Sequence, residues 1–171
     1  MALENTIEAR VARMEEDRAI RDLKARYLRA CDAKDPDGVR DTLLPHGAVI
    51  AFEGFPRFED REPFVAVYAQ LGCAPGVFDI HHAANGIISF EDEGRARGSW
   101  SLLFFNINLA ARTLTQMGVE YDDIYVKQDG RWWIAETRSR QTFALVQTVD
   151  ADGKPAVSIM GKTAGAFGAA E

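Results

Sequence analysis

The chain has 171 residues, 47% hydrophobic and 27% charged, which suffices for one substantial core and argues against a second domain. Twenty Lys and Arg stand against 26 Asp and Glu, and a net charge of -6 excludes a broad basic surface for nucleic acid or anionic lipid. The two cysteines, Cys31 and Cys73, have no metal-like spacing and suggest neither a disulfide framework nor a zinc site.

The opening Met-Ala-Leu-Glu-Asn-Thr-Ile-Glu lacks a basic region followed by an apolar one, and no later run reaches bilayer length. A cytoplasmic location is the expectation, with neither membrane nor nucleic acid as a partner. Ile7, Val11 and Met14 recur at helical spacing, and Asp17 reads as a cap for a restart. Ile20, Leu23, Tyr27, Ala30 and Cys31 then form an apolar stripe, so this helix packs one face inward. Asp35-Pro36 reads as an N-cap with proline at the first helical position, opening a short helix through Val39 to Leu43. Glu62-Pro63 reads as a third start, leading to an amphipathic helix that Gly72 ends.

From Phe78 to Val149 aromatic and β-branched residues dominate, divided by turn signals at Glu91-Asp92-Glu93-Gly94 and Gln128-Asp129-Gly130. Four long antiparallel strands are predicted near 78–90, 95–107, 115–127 and 131–147, with short strands near 47–53 and 55–59. Helices first and a sheet last give an α+β class, in which a curved antiparallel sheet wraps the N-terminal helices as a cone with a small-molecule pocket between the layers. Residues 1–150 read as one domain, and 151–171 as a partly ordered extension with a strand at 156–160.

Chemistry concentrates in Tyr27, Asp32 and the run His81-His82-Ala83-Ala84-Asn85. A histidine titrates near neutrality, a carboxylate can fix its tautomer, and a tyrosine hydroxyl can polarise a carbonyl. Strand alternation puts His81, Ala83, Asn85 and Ile87 on one face and His82 on the other, and parity alone does not say which face enters the pocket. Plainer roles compete. Tyr27 can be a core-edge aromatic, Asp32 a helix terminator, and His81 a buried structural histidine; five residues on a helix also turn by about 140°, so Tyr27 and Asp32 need not point the same way. Glu120, Asp122 and Asp123 alternate across a strand, and their outward members read as a solvated face; Arg138 and Arg140 share one parity and read as contacts for an acidic ligand or, ahead of that, as partners for carboxylates such as Asp123.

The patterns Asp17-Arg18-Ala19-Ile20-x-x-Leu23-x-x-x-Tyr27-x-x-x-x-Asp32, His81-x-x-x-Asn85 and Tyr121-x-Asp123-x-Tyr125-x-x-x-Asp129-Gly130-x-Trp132-x-Ile134 resemble the SnoaL-like branch of the cystatin-like α+β barrels. Scytalone dehydratase, ketosteroid isomerase, polyketide cyclases and bile-acid 7α-dehydratases belong to that superfamily. The resemblance implies that His81 is a base taking a proton beside a carbonyl, that Asp32 orients it, and that Tyr27 polarises the carbonyl or assists loss of hydroxide. Phe104 and Gln141 stand where bile-acid dehydratases carry an aspartate and an arginine, which points to a more apolar ligand, a different leaving group or no chemistry.

The resulting expectation is a lyase without cofactor or metal, acting on a steroid-like or polyketide-like compound. Its catalytic set is Tyr27, Asp32 and His81, and its substrate-binding set is Asn85, Trp100, Phe104, Tyr121, Arg140 and Gln141. Isomerisation, cyclisation or dehydrohalogenation by the same base is the nearer alternative, and a noncatalytic binding or assembly module the farther one. Relatives imply a homo-oligomer, a trimer before a dimer.

Overall fold

The computed structural model describes residues 6–161. Helix α1 runs unbroken over Ile7–Asp32, capped by the Thr6 hydroxyl, which accepts from Ala9 N at 3.2 Å. The predicted restart at Asp17 does not occur, because that carboxylate lies mid-helix and accepts from Arg21 one turn on, at 2.5 and 3.2 Å. Ile7, Val11 and Met14 lie in the exposed first turns of α1. From Ile20 onward the stripe is buried, and Ile20 and Leu23 are fully enclosed; each such side chain contributes roughly 1.5–3 kcal/mol. Asp35 caps helix α2, Pro36–Arg40, as its Asp-Pro start predicts. Helix α3, Arg61–Leu71, begins slightly earlier than predicted, because Asp60 rather than Glu62 supplies the capping oxygen.

Strands β1 (Val49–Phe52), β2 (Val77–Phe90), β3 (Arg95–Asn108), β4 (Thr113–Gln128), β5 (Arg131–Val149) and β6 (Pro155–Gly161) form one sheet ordered β1-β5-β4-β3-β2. The sheet is mixed: β1 runs parallel to the first half of β5, and β6 pairs antiparallel with its second half. The short strand expected near 55–59 reduces to a single bridge between Ile50 and Phe58. Residues 162–171 of the predicted C-terminal extension lie outside the described residues.

Strand β2 changes phase midway. A bulge between Ala84 and Ile87 interrupts its pairing with β3, and Asn85 adopts φ 52°. Asparagine tolerates this left-handed conformation better than most side chains. His81 and Ala83 therefore face inward before the bulge, and Gly86, Ile88 and Phe90 after it. At Gly86 a Cβ would meet the Trp100 ring at 2.3 Å, so only glycine fits. Between the concave sheet and helices α1 and α3 lies the core, which narrows around Trp100, Tyr125 and Ile20 and opens toward α3. On the outer face Phe78, Ile80, Leu103, Phe105 and Ile107 are 40–57% exposed. No helix among the described residues is long and apolar enough to cross a membrane.

Candidate active site

The last residue of α1 meets the middle of β2. Asp32 Oδ1 lies 2.6 Å from His81 Nδ1, and Asp32 Oδ2 accepts from the His81 backbone N–H at 3.3 Å. A carboxylate so placed holds the proton on Nδ1 and leaves the lone pair on Nε2. Both side chains are largely shielded, at 15% exposure for His81 and 27% for Asp32. The imidazole also lies against Phe104, with ring centroids 4.8 Å apart.

His81 lines a cavity of about 550 Å³ between the sheet and helices α1 and α3. Phe52, Phe58, Phe64, Leu102, Phe104, Met117 and Val119 give it an apolar wall. Into that wall are set polar groups from Tyr27, Tyr68, Asp79, Asn106, Tyr121, Ser139 and Gln141. Tyr27 reaches the cavity from the buried face of α1, and Asp32 at the end of that helix meets His81 on the cavity wall. Burial pushes the Tyr27 phenol well above its ordinary range, reinforced by neighbouring Cys31; burial does the same to Tyr121. Both hydroxyls therefore remain protonated near neutrality and can act only as hydrogen-bonding groups. The Cys31 thiol, pushed up to about 12 chiefly by burial, is not a nucleophile near neutral pH.

Of the expected substrate-binding residues, Phe104, Tyr121 and Gln141 line the cavity. Three others do not. Asn85 sits exposed on the bulge, because the phase change carries it off the inward face. Trp100 faces inward but fills the narrow end, where its indole N–H donates to Tyr125 Oη at 3.1 Å. Arg140 alternates with Ser139 and Gln141 and is exposed on the outer face opposite Glu120. The Gln141 Nε2 is buried without a hydrogen-bond partner.

The sequence reading does not single out Asp79 or Lys24, and it gives Asp123 a different partner. Asp79, two positions before His81 on the same face, is held by Lys34 and by Asn106 Nδ2, the latter at 2.5 Å. Asp123 is not solvated and does not meet Arg138, whose partner is Glu136. It lies inside the cone with Oδ2 2.8 Å from Lys24 Nζ, and these side chains are 0% and 1% exposed. Lys24 Nζ also stands 3.8 Å from the centroid of the Tyr121 ring. Burial lowers the Lys24 pKa, and Asp123 opposes that shift. Asp123 Oδ2 accepts a further bond from Tyr125 Oη at 2.7 Å, so a buried polar chain runs from Lys24 to Trp100 beside the cavity.

A wider concavity of about 640 Å³ lies against the outer sheet face, lined by Arg95, Arg97 and Arg138 among others. Those arginines are paired with Glu91 and Glu136, and no imidazole or phenol lines it. His81 and the tyrosines Tyr27, Tyr68 and Tyr121 line the inner cavity.

A family model described as a SnoaL-like domain matches residues 12–138. Among solved structures the chain is similar to a protein of Novosphingobium aromaticivorans provisionally named scytalone dehydratase, at 20% identity and a TM-score of 0.70 over 77% of this chain and 87% of that one. It is similar also to hexachlorocyclohexane dehydrochlorinase LinA-type3 of Novosphingobium barchaimii, at 17% identity and a TM-score of 0.70 over 88% of this chain and 96% of the other. A type 2 LinA dehydrochlorinase gives 17% identity and a TM-score of 0.72, with coverages of 91% and 98%. At these identities the structural likeness establishes a shared fold.

Proposed function

We propose that this chain, which belongs to the SnoaL-like domain family, is a cofactor-independent lyase that eliminates water from a hydroxylated, steroid-like or polyketide-like carbonyl compound. The observation that carries this reading is the 2.6 Å Asp32–His81 pair set into the wall of an apolar cavity. His81 Nε2 takes the proton from the carbon beside the carbonyl, and the electrons of that C–H bond move onto the carbonyl oxygen as an enolate. As the carbonyl re-forms, the C–O bond to the hydroxyl group breaks, and the imidazolium returns the proton to the departing hydroxide. The products are water and an unsaturated carbonyl compound, with the histidine restored. Asp32 stabilises the imidazolium, and the protonated Tyr27 hydroxyl donates to the carbonyl oxygen.

No lysine or arginine lines the cavity among the described residues, whereas Gln141 offers an unpaired amide. Those features favour an uncharged ligand with a polar atom near Gln141. The chain is expected to remove one water from a member of a panel of hydroxy-steroids, hydroxyacyl thioesters and aromatic polyketides, followed by mass spectrometry with His81→Ala as control. Binding without mass change but with proton exchange into deuterated solvent would replace elimination by isomerisation. Loss of a halide would place the chain beside the dehydrochlorinases whose fold it shares, and binding with neither reaction would make it a binding module.

The proposal extends to a homo-oligomer, trimer before dimer, and the exposed apolar side chains on the outer sheet face support it. Sedimentation is expected to give three chains per particle; a monomer would reject the assembly.

A further inference from the structure

A second ion pair stands beside the dyad. Asp32 and His81 form one rung between the end of α1 and strand β2, and Lys34 with Asp79 forms a second, two residues later on the helix side and two earlier on the strand. Both rungs lie at one corner of the cavity. The Asp79 side chain is 9% exposed and the Lys34 side chain 24%, so this ion pair is better shielded than an ordinary surface one. Both oxygens of Asp79 are engaged, Oδ2 by Lys34 and Oδ1 by Asn106 Nδ2. Asp79 therefore has no free oxygen directed to a substrate proton, and neither has Asp32, whose two oxygens are both turned to His81.

The backbone at Lys34 is the second observation. Helix α1 closes with Asp35 N–H donating to Ala30 O at 3.0 Å and Lys34 N–H donating to Cys31 O at 3.2 Å. This pair of bonds defines the C-terminal motif in which the residue after the cap is left-handed and usually glycine. Lys34 occupies that position with φ 58°. A lysine pays a steric penalty there that glycine does not. Such strain persists where the surrounding structure holds it, and here the side chain is anchored on Asp79.

We infer that Lys34 and Asp79 are positioning residues that lock the end of α1 onto β2 and so hold Asp32 in register with His81. The inference rests on the acid-base reading of the dyad. It requires the lysine side chain for the geometry of the neighbouring rung, not for folding of the helix end.

The full chain, with its histidines labelled with nitrogen-15, distinguishes the two. Proton–nitrogen correlation spectra of the wild type are expected to show His81 as a single tautomer with a slowly exchanging Nδ1–H, assigned by loss of the signal in His81→Ala. Lys34→Gly relieves the backbone but leaves Asp79 without its cation, opposed effects on stability, so it is expected to melt close to the wild-type temperature while the Nδ1–H exchanges rapidly and the tautomers mix. Lys34→Met is expected to give the same spectrum, and Lys34→Arg to retain the wild-type one. With a substrate in hand, Lys34→Gly lowers kcat by about 10- to 100-fold and leaves KM nearly unchanged. A wild-type His81 signal in both Lys34→Gly and Lys34→Met would overturn the positioning role and leave the dyad intact. Absence of the signal from the wild type would overturn the dyad reading and the positioning role with it.

Discussion

Replacing His81 with alanine is expected to lower turnover by about 10³- to 10⁴-fold, the upper part of the range for a positioned general base, without unfolding the chain. The loss is large because His81 is the histidine lining the cavity, and the tyrosines around it are held protonated by burial. The fold survives because the imidazole lies on a cavity wall, still 15% exposed, where a smaller residue enlarges existing space. Ligand affinity, measured by titration, is therefore expected to change little while product formation collapses. Asp32→Asn should approach the same loss, since an amide can donate to Nδ1 and move the imidazole proton onto Nε2, the nitrogen that must accept. Asp32→Ala removes the orienting group without imposing the wrong tautomer and should be the milder change. Near-wild-type kcat/KM in both His81→Ala and Asp32→Asn would end the assignment.

The second large effect is on stability. Asp123→Asn is expected to lower the unfolding free energy by about 3–5 kcal/mol, because it strands a buried ammonium. An independent bound comes from neutralising that ammonium. Taking Lys24 from its ordinary value of 10.5 to a neutral amine at pH 7 costs about 5 kcal/mol, at 1.36 per unit. The cost of the lost carboxylate cannot exceed this escape route by much. Lys24 in the variant binds its proton less tightly folded than unfolded, so the unfolded state holds more protons and stability rises with pH toward 10.5. Urea denaturation at two pH values should therefore find the deficit, relative to wild type, smaller at the higher one. Adding Lys24→Met should recover most of it at pH 7. A deficit below about 1 kcal/mol would mean that the buried pair is not held as a charged pair.

Strand boundaries were legible because the strands are rich in β-branched and aromatic residues and the turns after β2 and β4 carry Asp and Gly, whereas the turn at Leu109–Arg112 carries neither. The dyad was legible by residue type and by resemblance, and helix α1 ends where Asp32 can reach β2. Lys24 was not, since a lysine between Leu23 and Tyr27 reads as a solvated position until its carboxylate is located far along the chain. A signal for that carboxylate was present: Asp123 shares strand parity with Tyr121 and Tyr125, and all three are buried. Asn85 went astray for a different reason. Plain alternation puts Asn85 inward, whereas Asn-Gly inside a strand marks a bulge that breaks the alternation. Arg140 was assigned to the cavity by resemblance, whereas alternation with Gln141 puts only one of the two inside.

The bulge also gives β2 something like a reading frame. Upstream of it His81 must stay in phase with Asp32, and downstream Ile88 and Phe90 must stay in phase with the core. A one-residue insertion or deletion elsewhere in the strand would rotate one of those sets out to water. Deleting one residue at Asn85 would not, because Ala84 and Asn85 both face outward and removing one restores plain alternation with His81, Gly86 and Ile88 still inward. Shortening of this strand by one residue is thus confined to one point, where the dyad and the helix-packing half can draw closer without either losing its side of the sheet.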